Sequence, residues 1–233
     1  MVAMIASLCF TFLLLCSRHA SGNHDAGRSL PSLERRLSPA IPVAVFAPPD
    51  ITDSLVRRIC AETDAIWKPA GITFEWHRVT STDALRMRWL DVTIDDRRRD
   101  AEERAVLGWI AFTADGPQPS IYLSRSDTEA LLVLTPGVED KTISSHERLL
   151  GRALGRALSH ELGHYFLRSK VHTPRGLMQA ARPSEEFFRI GRDGFTPGPE
   201  AREAAALQVN GRRRPSATHA EESDDGGFRT GAH

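Results

Sequence analysis

The sequence predicts an α+β fold: a mixed twisted sheet with an N-terminal helix, a long helix after the strands and a last helix near the C-terminus. Three observations carry this. Apolar runs bounded by turn residues recur at 41–47, 72–79, 86–95, 105–113 and 120–124, and such runs read as strands. One helical pattern, 51–68, falls among them, so regular strand–helix alternation is absent. A much longer amphipathic pattern follows the last strand.

The elements follow in order. "IPVAVFA" (41–47) is rich in branched residues and reads as a buried strand, closed by Pro48-Pro49-Asp50. Leu55, Val56, Ile59, Cys60 and Ile66 recur at helical spacing, and Gly71 stops that helix. "ITFEWHRV" (72–79) alternates as a half-buried strand does. "RMRWLDVTID" (86–95), "AVLGWIAFT" (105–113) and "SIYLS" (120–124) complete the strands. Ser144, with Glu147 three residues on, is the expected start of the long helix, since each side chain can satisfy a free amide there. Leu149, Leu150, Ala153, Leu154, Ala157, Leu158 and Leu162 form its apolar face. Gly151, Gly155 and Gly163 permit close approach and predict a helix lying flat on the sheet. "PGPEAREAAALQ" (197–208) reads as a final helix with proline in its first turn.

Composition bounds the rest. Lys+Arg and Asp+Glu both number 30, which argues against a nucleic-acid partner. "MVAMIASLCFTFLLLC" is apolar but short for a membrane span, and small residues follow at Ala20-Ser21-Gly22. Residues 1–22 therefore read as a signal peptide of a secreted or periplasmic protein, an uncleaved anchor being the alternative. Its removal takes away Cys9 and Cys16, leaves Cys60 without a disulfide partner and leaves no membrane association. Residues 23–40 read as a linker, 41–210 as one domain, a monomer by default, and 211–233 as a disordered tail.

The chemistry concentrates in "HELGHYFLRSKVH" (160–172). His160 and His164 lie four apart, which on a helix places both rings on one face, one turn apart, able to meet a single ion. Glu161 beside them can reach a water rather than the metal. Two imidazoles and a third ligand suit one catalytic Zn2+, which would lower a water's pKa to about 7, with Glu161 as the base that takes its proton. His172, Glu185 and Glu186 are the candidates for the third ligand. A solvated stripe is the competing interpretation, because Arg152, Arg156 and Arg168 share the same helical row.

This stretch resembles the metzincin clan of zinc endopeptidases, with the matrixins nearest in pattern. Their motif is H-E-x-x-H-x-x-G-x-x-H followed by a Met-turn. Here His160, Glu161 and His164 fit, Leu167 stands at the glycine position, and Lys170 at the third histidine. His172 comes two residues later, about 6–7 Å of extra reach. The resemblance implies His172 as third ligand, Met178 as the turn methionine and a metzincin-like fold. It also implies a substrate-aligning edge strand near Ile121, Tyr122 and Leu123. Pro117 and Pro119 suit an edge position there, with Ile121 and Leu123 on one face and Tyr122 on the other. The expected function is a zinc endopeptidase acting on peptide or protein substrates. A zinc-binding protein without turnover and hydrolysis of a non-peptide amide are the alternatives.

Overall fold

The structure, a computed structural model, describes residues 40–81, 90–96, 106–138 and 142–211. The expected signal peptide, most of the linker and nearly all of the expected tail lie outside the described residues.

The architecture is mixed α+β. Strand β1 (Ile41–Phe46) leads to helix α1 (Asp53–Trp67), a 3₁₀ turn and β2 (Phe74–Val79). Then come β3 (Leu90–Asp95), β4 (Gly108–Thr113), β5 (Gly116–Ser124), α2 (Arg125–Leu134), α3 (Ile143–Leu167), α4 (Ser184–Phe188) and α5 (Pro199–Gly211). The sheet order is β2-β1-β3-β5-β4. Every neighbouring pair is parallel except β4 with β5.

Local chemistry sets the ends of α1. The Thr52 hydroxyl accepts from the Leu55 amide at 3.1 Å, an N-cap that serves one of the amides left free at a helix start. Gly71 closes the following turn in the left-handed region, φ 72°, a conformation that costs glycine nothing.

Register shows which side chains meet the helices. Residues paired across a sheet point to one side, so Trp76, Val43, Val92, Ile121 and Ile110 share a face. The helices cover that face. Trp76 Nε1 donates to Asp64 of α1 at 3.1 Å, and α3 runs against β4 and β5. Between the two helices Trp67 meets Phe166 edge to face, with centroids 5.0 Å apart. Cys60 is buried in this core without a disulfide, and burial pushes its thiol up to about 12.

Three expectations change at this level. The long helix starts at Thr142, not Ser144: Thr142 and Ser145 form the capping box. Glu147 is drawn away to accept from the Thr52 hydroxyl at 2.7 Å. Second, α2 was not foreseen. Its N-cap, Ser124, is the last residue of β5, and its apolar residues run consecutively (Leu131 to Leu134) rather than at helical spacing. Third, the α3 glycines do not face the sheet. A Cβ at Gly155 would meet Glu62 Cβ at 2.7 Å and the Ile59 carbonyl at 2.8 Å, and one at Gly151 would meet Arg58, so both open space for α1.

Backbone cannot move aside as a flexible side-chain tip can. Gly155→Ala is therefore expected to lower unfolding free energy by about 2 kcal/mol through overpacking, read as a shift of the denaturant midpoint. An unchanged midpoint would show that α1 and α3 can separate freely.

Candidate metal centre

Two turns of α3 supply the first two imidazoles. His160 Nδ1 lies 2.8 Å from the Leu177 carbonyl oxygen, and His164 Nδ1 lies 2.7 Å from that of Ser169. A carbonyl only accepts, so both Nδ1 atoms carry hydrogen and donate. Each Nε2 is then left with a lone pair, and these two atoms stand 3.1 Å apart.

His172 joins them by way of a tightly folded return. Helix α3 ends at Leu167, and Arg168 turns the chain in the left-handed region at φ 50°. That conformation costs a non-glycine residue roughly 1 kcal/mol. The Arg168 guanidinium donates to the Asp115 carbonyl in the β4–β5 turn, which holds the bend against the sheet. The same bend presents the Ser169 carbonyl to His164. Thr173 then bridges to Gln179, and its amide donates to Met178 O at 2.9 Å, fixing the chain just past His172. Ligand atoms of His160, His164 and His172 all lie within 4.8 Å of one another.

The donor set passes the test for a metal ion. In two neutral rings, Nε2 lone pairs facing each other at 3.1 Å have no proton to share unless one ring gives up its bond to a carbonyl. A cation between them satisfies both at once, and a carbonyl behind each ring is the usual support of a ligating histidine. Three nitrogens suit zinc rather than calcium or magnesium, which prefer oxygen. Burial drives the His160 imidazole down to about 4, helped by the neighbouring histidines and Arg182 and opposed by the Leu177 carbonyl. Burial lowers His164 as well, against the bond to the Ser169 carbonyl. Both rings are thus neutral near pH 7, the form that ligates.

Glu161 lines the same cleft. It is 8% exposed, and a Cβ built on Gly108 would lie 3.4 Å from its Cγ, so the carboxylate arm runs beside β4. The triad, Glu161 and β4 open onto one cleft of about 750 Å³. Phe112 stands at its wall, edge-on to His164 with centroids 6.5 Å apart. Met178 is buried beneath α3, its sulfur lodged against the backbone of Gly163, where no side chain could fit. Glu185 and Glu186 sit on α4, outside the histidine cluster, and Glu186 accepts from Arg182 at 3.1 Å.

The expected edge strand is corrected. Ile121, Tyr122 and Leu123 belong to β5, which lies between β3 and β4. The prolines misled for a definite reason. Among the described residues, pairing with β3 starts at Ser120, so Pro117 and Pro119 precede the stretch of β5 that is paired on that side. Among the described residues the edge on this side of the sheet is β4, whose register slips between Ile110 and Phe112. Such a bulge bends an edge strand and re-aims its side chains.

The solvated stripe is corrected as well. Arg156 is fully buried. Its Nε donates to Glu62 at 3.0 Å and its Nη2 to the Gly191 carbonyl at 2.6 Å. Glu62 also accepts from Arg192 at 2.7 Å. The guanidiniums of Arg156 and Arg182 lie over Phe195 at 4.6 Å and 4.2 Å. This network ties the 176–195 segment to α1 and α3. That segment supplies the Leu177 carbonyl, held in turn by the Leu177 amide bonding to Thr196 O at 3.0 Å. The partners of Arg156 are more than 29 residues away, so helical spacing carried no sign of them.

No family model matches the chain, and no curated protein matches it. Among solved structures, the crystal structure of archaemetzincin (amzA) from Methanopyrus kandleri is similar at 19% identity, with a TM-score of 0.46 over 78% of this chain and 100% of that one.

Proposed function

We propose that this chain is an exported zinc-dependent endopeptidase, with one zinc held by His160, His164 and His172 and with Glu161 as general base. The observation that carries it is the pair of Nε2 lone pairs 3.1 Å apart, each ring tied behind to a carbonyl, with the Glu161 carboxylate lining the same cleft. A site that only stored zinc would have no use for that carboxylate. Bound zinc would supply Lewis acidity toward a carbonyl and a lowered water pKa.

The protein's own groups do the remainder. Glu161 takes a proton from the attacking water and returns it to the leaving nitrogen. Its Cγ packs beside Gly108 of β4, the strand at the edge among the described residues, where an extended peptide can add by backbone hydrogen bonds. Glycine at 108 leaves room for the Glu161 arm, since a Cβ there would meet the Leu123 side chain at 3.0 Å, the Tyr122 carbonyl at 3.2 Å and Glu161 Cγ at 3.4 Å. Phe112 lines the cleft on the His164 side with an apolar ring. Export rests on the apolar segment within residues 1–22.

The test is incubation of the purified protein with a random peptide library, with zinc and with chelator. Internal cleavage that chelator abolishes and zinc restores is the expected result. Stoichiometric zinc with no cleavage of any peptide would sink the peptidase assignment and leave a zinc-binding protein.

A further inference from the structure

We infer that Lys170 gives the cleft a preference for substrates bearing a carboxylate near the scissile bond, an inference that rests on the peptidase reading above. Three cationic side chains besides the histidines line the cleft: Arg156, Arg182 and Lys170. The two arginines are spent inside the protein. Arg156 serves Glu62 and the carbonyls of Glu186 and Gly191. Arg182 serves Glu186 and the carbonyls of Gly176 and Gly194. Their N–H groups hold the floor of the cleft and are not offered to a ligand.

Lys170 differs. It is exposed, and among the described residues its ammonium makes no hydrogen bond or ion pair. It stands instead over the Phe112 ring, 5.2 Å from the centroid. That ring is the one set edge-on to His164. A cation over a ring face is held by the quadrupole, yet gives up none of its three N–H donors. The ammonium is therefore restrained at the wall of the cleft beside the metal ligands, with donors to spare. The one carboxylate among the cleft residues, Glu161, is buried beside Gly108. With the arginines paired inside the protein, Lys170 is the cation the lining offers, and a substrate carboxylate is its complement.

That carboxylate can come from a free C-terminus close to the cut or from an acidic side chain flanking it. Two pairs of peptides separate the sources: one pair differing only in a free or amidated C-terminus, the other in Glu or Gln beside the scissile bond. For an exposed ammonium, a charge-assisted bond is expected to favour the acid member by on the order of tenfold in kcat/KM, in whichever pair carries the right carboxylate. The ratio should shrink as salt is raised. In Lys170→Met it should fall to near one, in Lys170→Arg it should largely persist, and in Lys170→Glu it should invert. Zinc content should be the same in all three.

Ratios near one in both pairs for the wild-type protein, or a ratio unchanged in Lys170→Met, would overturn the inference. Binding of the same peptides to the zinc-loaded protein, followed by tryptophan fluorescence, supplies a reading apart from turnover. Absence of any cleavage defeats the peptidase reading, whereas acid and amide peptides binding equally defeats this one.

Discussion

Glu161→Gln is expected to keep its zinc and lose hydrolysis by on the order of a thousandfold or more. The amide has the size of the carboxylate, so the packing beside Gly108 is retained. It cannot take a proton, and both the activation of water and the return of that proton to the leaving nitrogen require a group that can. The histidine cluster does not include Glu161, so metal content has no cause to change. The two readings are zinc per chain and kcat on a peptide identified from the library. Wild-type turnover in this variant would remove Glu161 from the mechanism. Loss of zinc together with activity would make it a structural partner of the site rather than its base.

The legible parts of the fold were those written in local pattern. Branched apolar runs located the strands, 3.6-residue spacing located α1 and α3, and a proline in the first turn marked α5. The pair His160 and His164 was legible for the same reason, because a separation of four residues fixes a shared helix face. Sheet order was not. It depends on pairings such as Asp91 with Ser120, between strands distant in the chain, and no local residue states which strand ends at the edge. Prolines at 117 and 119 stand in the first part of β5, before its described pairing with β3 begins at Ser120, and not at Ile121 to Leu123.

The supports of the site were hidden more deeply. Ser169 and Leu177 act through backbone carbonyls, which every residue possesses, so their identity carries no mark. Arg156 looked like one member of a polar stripe, since a buried arginine and an exposed one are the same letter until the carboxylate beside it is known. Glu62, on another helix, is that carboxylate. Arg168 in a left-handed turn is likewise unmarked, because glycine is the residue that usually signals such a bend.

The third ligand is the point at which motif and geometry are most sharply tested. His172→Ala is expected to weaken zinc binding by a hundredfold to a thousandfold, roughly an equal share of the binding free energy of a small zinc site. His172 is exposed and stands outside the helix, so its removal leaves the core and the carbonyl bonds of His160 and His164 intact. The loop also stays closed, since the bond from the Thr173 amide to Met178 O belongs to the backbone. The loss should therefore appear in metal affinity, by competition with a chromogenic chelator, with little change in the apo protein's melting temperature. Glu185→Ala should bind zinc as the wild type does. Glu186→Ala should too, with a slightly lower melting temperature from the loss of its bond to Arg182. Undiminished affinity in His172→Ala combined with weakened affinity in either glutamate variant would move the third ligand to α4, and the return of the chain through Arg168 and Thr173 would then have to serve some purpose other than carrying a histidine to the ion.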